Sequence, residues 1–358
     1  MLSELIALGP TFEAIGVVDV FSSLIWTERY YGNGEFELYI PAGVESLNFL
    51  DVGCYLAAKE SDCLMVIENI ELEMDAESGD HFTISGRSSD SVLDRRIIWA
   101  QTTFTGNLQT GIKKLIDENA IAPSDSARTI PNLTFSVSTD PAVTSLVGDG
   151  QYAGQNLFAS VKALCEEAGL GFKLTNPSGS LLVFSLYSGV DRSYQQETNA
   201  FVVFSPEFDN LVTSRYIRSE AALKTITRIG GEGEGSARRY TTAQAPGGAG
   251  TGLARREMFT DASSISSTVN GVTISEAVYF GQLAQKGLED LSANTALTVF
   301  DGEVLDAQMY QYGVDFFLGD IVQTANQYGM ETSSRITEYI WSVNDTEARA
   351  YPTFTTID

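Results

Sequence analysis

Apolar and polar residues alternate with a period of two through most of the first hundred positions, which predicts successive half-buried strands. The clearest segment is LIWTERYYGNGEFELYIP, residues 24–41. Its alternation on both sides of Gly32-Asn33-Gly34 reads as a β-hairpin, and Pro41 closes the second strand. A two-residue Asn33-Gly34 turn would set Arg29 opposite Leu38. A three-residue loop with Gly34 left-handed pairs Arg29 with Glu37, Tyr30 with Phe36 and Trp26 with Ile40. Charge and aromatic pairs of this kind contribute a few tenths to ~1 kcal/mol each, which favours the longer loop. Glu28 then lies opposite Leu38 on the face of Trp26, which a carboxylate tolerates at a rim or a subunit contact. A second hairpin runs from Glu71-Leu72-Glu73-Met74 through an acidic tip at 75–80 into His81-Phe82-Thr83-Ile84-Ser85.

The period changes at about residue 105. Leu108, Ile112, Leu115 and Ile116 share one face of a helix over 107–121, with Asn107 as its N-cap. A polar loop region follows at 122–153. A second helix, 155–168, turns Leu157, Val161, Leu164 and Cys165 inward and stops at Gly169. A third, 275–291, is capped by Ser275 and lines up Ala277, Phe280, Ala284, Leu288 and Leu291. Strands are predicted at 170–174, 181–187, 200–204, 211–218, 222–230, 255–261 and 295–301, and 311–354 is again β. The Gly-, Ala- and Thr-rich stretch 244–253 reads as a flexible loop.

Two internal echoes organise these elements. Gly53-Cys54-Tyr55-Leu56 followed by Val66-Ile67-Glu68 parallels Gly319-Asp320-Ile321-Val322 followed by Arg335-Ile336-Thr337-Glu338. Lys162–Glu167 before strand 170–174 parallels Lys286–Asp290 before strand 295–301. The predicted fold is mainly β with α+β insertions: two similar small β-barrels, each interrupted by a helix–strand domain. The first barrel takes 1–104 and 200–220, with 105–199 as its insertion. The second takes 221–262 and 306–358, with 263–305 inserted.

Composition narrows the function. The 358 residues exceed a typical single core, and 47 acids against 22 bases give a net charge of −25. That balance opposes binding to nucleic acid or an anionic membrane. The N-terminus lacks a basic region before its apolar residues and meets Pro10 early, so no secretory signal is expected. No run approaches the roughly 20 apolar residues of a membrane-spanning helix. Cys54, Cys63 and Cys165 have no metal-type spacing and are expected in the core of a protein made in a reducing cytoplasm.

Catalytic motifs are absent from the sequence. His81, the single histidine, is expected on a strand surface rather than as a base or ligand. The tip at 75–80 places Gly79 at loop position five, so it does not match the calcium-binding EF-hand pattern. Gly230–Gly235, GGEGEG, lacks the Lys-Ser/Thr of a phosphate loop and reads as a hairpin or strand exit. No cofactor is implied. Tyr30, Tyr31 and Tyr328 suit cross-strand pairs better than saccharide platforms. The compact basic spots, Arg95-Arg96, Arg238-Arg239 and Arg255-Arg256, are candidate assembly contacts for acidic faces of a neighbour, together with Glu28.

The hairpin 24–41, with VGCYLAAKESDCLMVIENI (52–70), HFTISGRSSDSVLDRRIIW (81–99) and FFLGDIVQTANQYGMETSSRITEYIW (316–341), resembles phage tail-tip proteins of the baseplate-hub kind. The resemblance spans nearly the whole chain and carries no catalytic signature. It implies a non-enzymatic virion protein, assembled in the host cytoplasm, forming a homotrimer whose six barrels make a pseudo-six-fold ring. Such a ring would cap the tail tube and join the distal tail protein and the receptor-binding or lytic proteins. It would also gate release of the tape-measure protein and DNA. Three copies carry 3 × −25 = −75, enough for a lumen that repels passing DNA. Family members often carry a C-terminal enzyme or fibre. This chain stops at Asp358, so either a naturally short hub or working parts on separate proteins are expected. A carbohydrate- or receptor-binding module is the competing reading, and a cell-wall hydrolase the more remote one.

Overall fold

The computed structural model of the chain describes residues 2, 4–43, 49–74, 79–177, 179–211, 213–269, 271–303 and 309–357. The acidic tip therefore falls largely outside the described residues.

Ten strands set the architecture. They are β1 (Ser23–Arg29), β2 (Glu35–Pro41), β3 (Tyr55–Ala58), β4 (Met65–Glu73), β5 (His81–Ser88), β6 (Thr213–Ser219), β7 (Leu297–Glu303), β8 (Ile321–Ala325), β9 (Glu331–Asn344) and β10 (Ala348–Thr356). The first five pair in the order β1-β2-β5-β4-β3, and the last five repeat it as β6-β7-β10-β9-β8. The two units join where β9 pairs antiparallel with β1, setting Trp341 opposite Trp26. A hairpin of Leu5–Leu8 and Ala14–Val18 extends the same sheet beyond β3. The path is open at both ends, so the described strands close no barrel. In place of the two separate closed barrels expected from the sequence, the described strands form one continuous sheet in which the two five-strand units join through the β9–β1 pairing.

The Gly-turn echo is reproduced bond for bond. Gly53 N–H donates to the Ile67 carbonyl at 2.9 Å, and Ile67 N–H to that of Cys54 at 2.9 Å. Gly319 N–H donates to Ile336 at 2.8 Å, and Ile336 N–H to Asp320 at 2.9 Å. Both glycines are left-handed, with φ of 92° and 94°. One residue on, the pairs are Tyr55 with Val66 and Ile321 with Arg335. A bulge follows at the same place in each unit, between Ile67 and Asn69 and between Ile336 and Glu338. The second echo is not reproduced. Gly171–Thr175 pairs with Leu182–Tyr187 in a separate small sheet, whereas β7 lies in the main sheet.

The first hairpin is a correction. Trp26 pairs with Phe36, not Ile40, and Thr27 with Glu35, a slip of four residues from the expected register. An even slip keeps every side chain on its face, so the hydrophobic pattern could not detect it. The cause is the partner on the other side. Arg29 and Glu28 pair with Glu338 and Tyr339, and Tyr30 N–H donates to Thr337, which pulls 28–34 into a wide connection. Gly34 is not left-handed. It is required because a Cβ there would meet the Thr27 carbonyl at 2.3 Å.

Helices α1 (Leu108–Ile116), α2 (Leu157–Ala168) and α3 (Glu276–Ser292) begin where their caps predict. Asn107, Asn156 and Ser275 each accept a backbone N–H of the first turn, and Gly169 ends α2 at φ 68°. The inward face of α3 differs from expectation. Tyr279, Leu283, Gly287 and Leu291 are buried, while Ala277 is exposed and Phe280 and Leu288 are half-buried. The rotation arises because α3 is packed on two sides, by the three-stranded sheet of Ile226–Gly230, Tyr240–Gln244 and Glu257–Asp261 and by α2. His81 also departs from expectation. It is 7% exposed, its ring packs tilted against Tyr39 with centroids 4.2 Å apart, and its Nε2 lies 2.8 Å from Glu73. All three cysteines are free, with Cys54 and Cys165 buried and Cys63 half-buried. Among the described residues, no helix is long and apolar enough to cross a membrane.

Candidate functional site

A cleft of about 510 Å³ opens where the first unit, residues 172–190 and the segment before β8 meet. The β1 strand delivers Glu28 to its wall. Burial pushes the Glu28 carboxyl above its ordinary range, although Ser61 and Tyr312 both donate hydroxyls to it, the latter at 2.9 Å. Asp90 faces the same cleft from the turn after β5. Burial pushes its pKa up to about 6, against hydrogen bonds from Ser88 Oγ at 3.0 Å and Leu174 N–H at 3.2 Å. The Glu28 carboxylate raises it further by repulsion. Asp320 is held differently, by Arg192 at 2.8 Å and the N–H groups of Val190 and Phe317. These contacts tie three segments together, so the cleft is a junction. Asp90 escaped the sequence reading because Ser88-Ser89-Asp90-Ser91 looks like a solvated turn, yet all four residues are buried.

Tyr30 lies beside this junction, fully buried. Its hydroxyl donates to the Gly169 carbonyl at 3.0 Å, and the Arg335 guanidinium sits 5.2 Å over its ring. A saccharide could not stack on it. Tyr31 is half-buried against Tyr30, and Tyr328 is 80% exposed.

The candidate contact residues divide by what they already hold. Glu28 is 7% exposed and bonded within its own chain. Arg96 donates to the Arg128 carbonyl at 2.7 Å, and Arg256 binds Glu220 at 2.8 Å. Arg238 donates to the carbonyls of Gly230 and Gly231 and to Asp261, fastening the GGEGEG hairpin connection. Arg239 lies 5.2 Å over Tyr279. Arg95 and Arg255 are exposed, the latter paired with Glu257 at 2.5 Å. Among the described residues, no group of three His, Cys, Asp or Glu side chains is placed to hold a metal ion.

A second polar junction joins the strand Val147–Tyr152 to α3. Glu289, 5% exposed, accepts the Tyr152 hydroxyl at 2.5 Å and faces Lys286 at 3.6 Å. Gln151 bonds Gln282 at 2.9 Å alongside. Burial lifts the Glu289 pKa to about 7. The folded state therefore holds this proton more tightly than the unfolded chain, and the stability it contributes is lost as pH rises from about 4.5 to about 7. Over that window the urea midpoint is expected to fall, and Glu289→Gln is expected to flatten the decline. An unchanged pH slope in the variant would show that other groups set it.

The architecture defines a class. With 12% identity and a TM-score of 0.59, the chain is similar to the tail protein from Neisseria meningitidis MC58, over 99% of this chain and 96% of that one. It is similar to the prophage tail protein gp18 from Listeria monocytogenes EGD-e at 14% identity and TM-score 0.57, covering 99% and 94%. The 43 kDa tail protein of prophage MuSo2 from Shewanella oneidensis gives 14% and 0.56, covering 98% of each chain. The fold is that of phage tail proteins. The chain belongs to the siphovirus ReqiPepy6 Gp37-like protein family, whose model matches residues 8–354. No curated protein matches it by sequence.

Proposed function

We propose that the chain is a non-enzymatic structural protein of the virion, a tail-tip hub. Three copies form a ring that caps the tail tube, joins the distal tail protein, and carries the receptor-binding or lytic proteins on its other side. Opening of the ring would release the tape-measure protein and DNA. The observation that carries this reading is the five-strand unit present twice in one register, since three chains then supply six similar units to a six-fold tube. Family membership and the tail-protein fold support it independently. The acidic chain suits a wall along which DNA must slide. Native mass spectrometry and cryo-electron microscopy of the purified protein, alone and with its tail-tube neighbour, are expected to show three copies in a ring. A monomer under both conditions would overturn the proposal.

A further inference from the structure

The repeat predicts its own subunit contact. Within the chain, β9 uses its first half, Glu331–Arg335, to pair with β8 and its second half, Glu338–Asn344, to pair with β1. In the first unit, β4 corresponds to β9. Its first half pairs with β3 through Met65 and Val66, but among the described residues nothing pairs with the outer edge of its second half, 69–73. The strand corresponding to β1 is β6. It is the terminal strand of the sheet, pairing with β7 alone among the described residues. One chain thus carries one half of the β9–β1 joint at each of two places.

We propose that β4 of one copy adds to β6 of the next, repeating the β9–β1 joint between subunits. This rests on the ring reading above and names its interface. The register follows from the equivalences already given. Ile67 matches Ile336, so Leu72 matches Trp341. Phe36 pairs with Gly86 as Phe300 pairs with Phe354, so Trp26 matches Tyr216. Trp26 opposite Trp341 then becomes Tyr216 opposite Leu72, and Glu73 falls opposite Arg215.

Burial agrees with a joint that lacks its second half. Trp26 and Trp341 are 0% and 4% exposed, whereas Tyr216 and Leu72, at the matching positions, are 39% and 48% exposed. Residues 65–67 of β4 are buried, and 71–73 are exposed. Glu73 and Arg215 are both exposed and of opposite sign. An uncovered strand edge carrying apolar side chains is an aggregation liability unless a defined partner takes it. Each copy offers one β4 edge and one β6 edge, so the contact is head-to-tail, the kind from which the three-copy ring proposed above can be built.

The test uses the full chain. Directly opposed strand residues lie within disulfide reach, so Glu73→Cys with Arg215→Cys is expected to give covalent multimers on oxidation. Either single variant should give none, which controls for the three native cysteines. Charge reversal is the second arm. Glu73→Arg and Arg215→Glu are each expected to weaken assembly about tenfold or more by analytical ultracentrifugation, and the double reversal to restore most of it. Circular dichroism checks that Glu73→Arg, which loses His81 as a partner, stays folded; if it does not, Arg215→Glu and the cross-link decide. Rings from the wild type that neither cross-link nor respond to reversal would overturn this interface and leave the hub reading intact. A wild type that never assembles would overturn both.

Discussion

Trp26→Ala is expected to destabilise the protein by about 3–5 kcal/mol, the range for removing a large aromatic from a packed core. Trp26 is fully buried, faces Phe36 on one side and Trp341 on the other, and stands where the two units become one sheet. Trp26→Phe should cost much less, because the indole N–H has no hydrogen-bond partner among the described residues and its loss removes an unsatisfied donor. Urea unfolding followed by fluorescence and circular dichroism gives both numbers. A loss below about 1 kcal/mol for the alanine variant would mean that the joint between the units is not a core.

Gly319→Ala is expected to cost about 3–5 kcal/mol, and Gly53→Ala distinctly less. The pair is a matched experiment, because both glycines have φ near 93° and donate the same hydrogen bond. Backbone strain of roughly 1–3 kcal/mol is common to both. A Cβ at Gly53 would meet nothing within 4 Å, whereas at Gly319 it would meet the Tyr30 ring at 2.2 Å. Tyr30 is pinned by Gly169 and Arg335 and cannot yield, so overpacking adds about 1–3 kcal/mol more. Equal losses at the two sites would show that Tyr30 moves aside.

The same glycines mark what could be read from the sequence. A left-handed turn into a strand leaves a local signature, so the Gly53 and Gly319 segments were recognisable as equivalents. Helix caps are local too, and Asn107, Ser275 and Gly169 were legible for that reason. Register is not local. The slip of the first hairpin is set by Thr337 and Glu338, about three hundred residues away in sequence. The remaining strands of the second unit were obscured by spacing: β1 and β2 are five residues apart, while β6 and β7 are separated by α3 and a small sheet. At the candidate site, polar residues buried at junctions, Asp90 and Glu289, have the composition of exposed turns and helix faces. Only their packing partners reveal them.

The β9–β1 joint also governs the order in which the chain becomes a protein. Ser23–Arg29 is made about three hundred residues before its partner in β9, with Trp26 waiting for Trp341. The outer edge of β1 stays unpaired until β9 has been made. Contacts of such long sequence separation form slowly, after their loop-closure entropy has been overcome. Chains truncated by premature termination would keep β1 bare, an edge open to chaperones and proteases rather than to tail assembly. The joint between the units is therefore a contact that forms only once both of them have been made.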